Sequence, residues 1–184
     1  MSSMMEVLQY SPDLLEPILA DIEGEAAKSA ARGIIEAFDK NGLTIKVKHI
    51  FPTKPAAYFR VLCFIKKSKE AVIINTKNDL GPKGVIPGMN IQLRIENGST
   101  LVGLDEFTEN IRSTIINGND CCYCSEKCKR NCSVFTYNGI NYVKCQFICS
   151  NFRFHDIEES DISDLLYIVN GEIEYKQKSP KPAR

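Results

Sequence analysis

Apolar residues Leu14, Leu15, Ile18, Leu19 and Ile22 recur at helical spacing behind Ser11-Pro12-Asp13, a cap followed by a first-turn proline. Gly24 interrupts the pattern, and a second stripe of Ala27, Ala30, Ala31, Ile34, Ile35 and Phe38 runs to a predicted stop at Asn41-Gly42. The small residues in this stripe predict close packing. From Leu43 the period falls to two: Leu43, Ile45 and Val47 alternate with Thr44, Lys46 and Lys48, the signature of a half-buried strand. Tyr58 to Lys66 and Ala71 to Thr76 are β-branched and aromatic stretches joined by the polar Lys67-Ser68-Lys69-Glu70, which predicts a hairpin.

Asn78 to Gly88 holds three glycines and two prolines and reads as a long loop without a regular element. It leads into the alternating stretch Ile91 to Ile95 rather than into a helix, which argues against a phosphate-binding loop. As a wall of a small-molecule pocket it would lack paired carboxylates, a nucleophile or a base beside it. Asp105 and Glu106 open a further predicted helix with Leu104, Phe107, Ile111 and Ile115 on one face, ending at Asn117-Gly118. A last helix is predicted from Ser160 to Val169, with Asn170-Gly171 as its stop, and Lys176 to Arg184 reads as a disordered tail. The order gives an α+β fold rather than a doubly wound sheet: N-terminal helices, a meandering and mostly antiparallel sheet, a further helix, then a C-terminal Cys-rich hairpin and a last helix. The expected division is an α+β domain over residues 1–118, a Cys-rich metal-binding module with the terminal helix over 119–175, and the tail over 176–184.

With 184 residues, 43% of them hydrophobic and 25% charged, the chain can bury a core, and disorder, collagen-like and coiled-coil classes are excluded. Its longest apolar runs, Val61 to Ile65 and Ala71 to Ile74, fall far short of the roughly 20 residues that span a bilayer. Met1 to Tyr10 has neither the basic start nor the apolar centre of a secretory signal, so the expected address is cytoplasmic, without membrane association. Twenty-three basic residues balance 23 acidic ones, so no global field draws the chain to nucleic acid. Locally, Asn41 to Lys69 has no acid and His155 to Glu172 no base. A nucleic-acid contact through Lys46, Lys48, Lys54, Arg60, Lys66 and Lys67 is one reading of this asymmetry, and two solvated faces are the simpler one.

Eight cysteines change the picture. Cys63 stands alone inside an apolar run and reads as a small buried hydrophobe. Cys121, Cys122, Cys124, Cys128, Cys132, Cys145 and Cys149 are clustered, and in a chain without a secretion signal such thiols point to metal rather than disulfides. Cys121-x-x-Cys124 has the gap that lets a tight turn aim two thiolates at one ion. Downstream, Asn138-Gly139 between alternating residues predicts a hairpin with a two-residue turn. Facing Tyr137 with Ile140 then sets Phe135 against Tyr142, Val134 against Val143, and Cys132 against Cys145. Directly opposed Cβ atoms lie about 5 Å apart, close enough to share a metal or form a disulfide.

Cys121, Cys124 and Cys145 are therefore the leading metal ligands, with Cys128, Cys132 and Cys149 open for the fourth place and Cys122 spare. The turn followed by a hairpin loosely resembles zinc-ribbon and zinc-knuckle modules. It departs from them in lacking a second two-residue-gap pair, so the resemblance fixes no ligand set. Zinc held by four thiolates leaves no open position for water, which predicts a structural site in a non-enzymatic protein that binds another protein or, less favourably, nucleic acid. Seven thiols exceed the four zinc needs, so an iron–sulfur or thiol redox protein is the alternative. His49 and His155, the only histidines, read as structural, and no activating base accompanies Cys63.

Overall fold

The computed structural model describes residues 4–51, 57–66, 69–81, 84–118, 132–145 and 152–178. Its frame is a six-stranded antiparallel sheet in the order β1 (Met4–Gln9), β2 (Thr44–Phe51), β3 (Tyr58–Lys66), β4 (Lys69–Asn75), β7 (Asn90–Leu93) and β10 (Phe152–Phe154). Two separate ribbons are formed by β5 (Asn78–Gly81) with β6 (Gly84–Pro87) and by β8 (Cys132–Tyr137) with β9 (Ile140–Cys145). The helices are α1 (Leu15–Ala20), α2 (Glu25–Lys40), α3 (Glu109–Asn117) and α4 (Asp161–Lys178). This is the expected α+β arrangement. Among the described residues, no helix is long and apolar enough to cross a membrane.

One sheet face carries the core. Register places Ile45 beside Cys63, Cys63 beside Val72, Val72 beside Leu93 and Leu93 beside Phe152, and this row joins one buried cluster with the helices. Alternation puts the next inward row, Val47, Val61, Ile74, Ile91 and Phe154, two residues along each strand. Against them lie Ile34, Ile35 and Phe38 of α2 and Leu165, Ile168 and Val169 of α4. Gly24 separates α1 from α2 at φ +86°, a left-handed-side conformation that only glycine adopts without strain, and it breaks one continuous apolar pattern into two helices.

The structure differs from the sequence reading in five places. Residues 4–9, for which no element was expected, form β1. The Asn78 to Gly88 stretch is a β ribbon rather than a loop: Gly81 and Gly84 pair at one end and Pro87 ends the second strand, leaving Asp79-Leu80 and Val85-Ile86 to pair between them. Asp105 and Glu106 belong to a 3-10 turn, and α3 starts later under the cap of Thr108, whose hydroxyl accepts from Ile111 N at 3.4 Å. Asn170-Gly171 does not stop α4, which runs to Lys178 and buries Lys176 in the stretch read as a tail. Residue 118 is no boundary of the fold, because β10 and α4 complete the main sheet and core.

Candidate metal centre

The hairpin that carries two of the predicted ligands is built as its sequence requires. Asn138 (φ +49°) and Gly139 (φ +73°) take the positive angles of a type I′ turn, whose twist matches the flanking strands. The register then follows as expected: Tyr137 faces Ile140, Phe135 faces Tyr142, Val134 faces Val143, and Cys132 faces Cys145 at the end remote from the turn. Cys132 and Cys145 are thus brought together as backbone partners. Cys121, Cys122, Cys124, Cys128 and Cys149 lie outside the described residues. Among the described residues, no group of three or more His, Cys, Asp or Glu side chains is placed to hold a metal.

A two-stranded hairpin is marginal alone, so its attachment to the body matters. Phe135 is 6% exposed, belongs to the core cluster and stacks on Tyr142 with ring centroids 5.3 Å apart. Lys144, 2% exposed, donates from Nζ to the carbonyl of Ile116 at the end of α3, 2.6 Å away, and its ammonium lies 5.6 Å from the Tyr142 ring centroid. The backbone of β8 runs so close to the 3-10 turn at Gly98–Leu101 that a Cβ on Gly98 would stand 2.4 Å from the Val134 carbonyl oxygen. The outer positions Val134 and Val143 are exposed, and so is Ile140 beside the turn. Sequence reasoning missed Gly98 and Lys144 as anchors. The polar Lys144 shares the inward row with Tyr142, and the apolar Val143 faces out, so polarity pointed the wrong way.

The remaining candidates have structural surroundings. Cys63 is fully buried, and burial raises its thiol pKa far above the usual range, which removes it as a nucleophile. His49 stacks on Phe59 at 4.5 Å, and the His155 carbonyl accepts from Asn110 at 3.4 Å. Lys46, Lys48 and Arg60 sit on the sheet face away from the helices, Lys48 directly opposite Arg60. Lys46 lies over the Phe64 ring, and Arg60 Nε donates to Asn75 Oδ1 at 2.6 Å. Asn75 in turn donates to Asn90 at 2.9 Å, a polar ladder across the sheet. Lys54 and Lys67 lie outside the described residues, and of Lys66 only the backbone is described.

The acidic stretch is partly internal. Asp161 accepts from Thr108 Oγ1 at 2.5 Å, from Asn110 Nδ2 at 2.7 Å and from Glu158 N at 3.0 Å, while Asp164 accepts from Thr108 N at 2.7 Å. Glu172 accepts from Asn97 N at 2.8 Å, and burial raises its pKa above the ordinary glutamate value. These carboxylates fasten α4 to α3 and to the 3-10 turn at Gly98–Leu101 rather than forming a surface patch. Comparison with known protein families, with curated sequences and with solved structures returns no match.

Proposed function

We propose that this chain is a non-enzymatic, cytoplasmic zinc-binding protein. Its Cys-rich segment holds a structural four-thiolate site, drawn from Cys121, Cys124, Cys145, Cys128, Cys132 and Cys149, and presents an interaction surface to another protein. The observation that carries the reading is the hairpin register, which sets Cys132 against Cys145 at the end remote from the turn of a ribbon that, among the described residues, packs on the body through one face. A metal there would tie the two strand ends and the cysteine segment before them, and the free energy of binding would become folding free energy for a module with little core of its own. A nucleic-acid partner is less favoured, since Arg60 is engaged by Asn75 and Lys46 by Phe64.

Metal analysis of untagged protein by inductively coupled plasma mass spectrometry, with thiol titration before and after chelation, tests this reading. About one zinc per chain, with four thiols released by chelation, is the expected result. Iron with inorganic sulfide would move the protein to the iron–sulfur class. Metal-free protein with all its thiols titratable would end the metal reading.

A further inference from the structure

The two edges of the main sheet are built differently. The β10 edge is three residues long with Arg153 at its centre, a short and charged edge of the kind that resists pairing. The β1 edge is six residues long, contains no proline, lysine or arginine, and carries the single charge of Glu6. Among the described residues β1 pairs only with β2, so its outer row of backbone donors and acceptors has no strand beside it. Met5 and Val7, on the sheet face away from the helices, are 51% and 56% exposed.

We propose that this edge pairs with the same edge of a second copy of the chain, antiparallel and centred on Val7, joining two sheets into one. The register follows from symmetry. Directly opposed residues of an antiparallel pair share a face, and a two-fold axis maps each strand on the other, so the paired residue numbers must sum to an even constant. Centring on Glu6 sets Glu6 against its own copy, a like-charge pair that is disfavoured. Centring on Leu8 leaves only Val7 to Gln9 within the paired segment. Centring on Val7 pairs residues 5–9 in full: Val7 meets Val7, Met5 meets Gln9 and Glu6 meets Leu8, so both exposed apolar residues gain cover and no like charges meet. The backbone supplies affinity, as in other strand-addition contacts, and the Val7 pair at the axis fixes the register.

Light scattering on the full-length, metal-replete chain over a concentration series tests the proposal. The wild type is expected to show a two-chain mass. Val7→Lys, which opposes two ammonium groups at the axis, should halve that mass with an unchanged far-ultraviolet circular dichroism spectrum. Val134→Lys, an equally exposed change on the hairpin, should keep the two-chain mass. A benzoylphenylalanine photocrosslinker at position 7 should capture residues 4–9 of a second chain. A one-chain mass for the wild type throughout the series, a two-chain mass for Val7→Lys, or a crosslink that maps outside β1 would overturn the pairing.

Discussion

Gly171 lies inside α4, where glycine costs about 1 kcal/mol relative to alanine, and the fold shows why it is there. A Cβ at this position would stand 2.4 Å from Cγ2 of the buried Thr100, so the glycine lets the helix lie against the 3-10 turn on which β8 packs. Gly171→Ala is therefore expected to lower stability by about 1 kcal/mol net, overpacking outweighing the gain in helix propensity. Thr100→Ser removes the offending methyl and keeps the hydroxyl that donates to the Asn97 carbonyl at 2.7 Å. The double variant should recover stability to at least the wild-type level, as read by urea unfolding. Recovery failing in the double variant would show that the contact with Thr100 is not the cause.

Glu172 makes a pH prediction at the same scale. It is buried beside Lys176, with Glu96 and Arg94 also facing the cluster, and burial holds its pKa above the ordinary value despite the Asn97 amide and the nearby ammonium. The folded chain keeps a proton on Glu172 at a pH where the unfolded chain has lost it. The stability this residue gives is thus fully present below the ordinary glutamate range and declines as pH rises through the raised value. Glu172→Gln keeps an acceptor for Asn97 N and has no proton to lose. The stability difference between wild type and variant should move against the wild type across that window, measured by thermal melts at stepped pH. A difference independent of pH would sink the assignment.

At the level of elements, the hairpin is held by one face. Phe135 and Tyr142 supply apolar contact, Lys144 reaches the end of α3, and Gly98 admits the β8 backbone. Gly98→Ala should force the ribbon away from the turn and cost roughly 1–3 kcal/mol, because the obstacle is a backbone oxygen that cannot rotate aside. Hydrogen exchange should then rise in β8 and β9 while β3 and β4 stay protected. Exchange rising equally in β3 and β4 would show that the ribbon and sheet open as one unit. This register was legible in the sequence because Asn138-Gly139 dictates a two-residue turn, and each pair follows by counting. The docking was not legible, since it depends on a lysine facing inward and a distant glycine facing the strand.

For the whole molecule, the proposed metal would tie the two strand ends of the hairpin and so support its docking on the body. Chelation is expected to lower the melting temperature and to expose Phe135 and Tyr142 to solvent. The six-stranded sheet, whose strands include none of the clustered cysteines, should retain its far-ultraviolet spectrum. Calorimetry with and without chelator checks this, and a chelator-insensitive melt would remove the metal from the stability of the fold.

The sequence by itself determined the elements with a strong period and local punctuation: α2, the β2 to β4 meander, the β8–β9 register and the buried Cys63. Each of these depends on neighbours in sequence, where side-chain alternation, glycine angles and turn chemistry act over a few residues. The tertiary structure alone decided where those signals were overridden. Asn170-Gly171 reads locally as a stop, yet α4 continues because Leu165, Ile168, Val169 and Ile173 are buried on both sides of it and Thr100 fills the glycine's notch. Asp161 and Asp164 read as surface charge, yet they accept hydrogen bonds from Thr108 and Asn110, more than forty residues away in sequence. β1 has no clear alternation of its own and forms because β2 offers it an edge. In each case the deciding contact joins residues distant along the chain, and no local pattern carries the energy of such a contact.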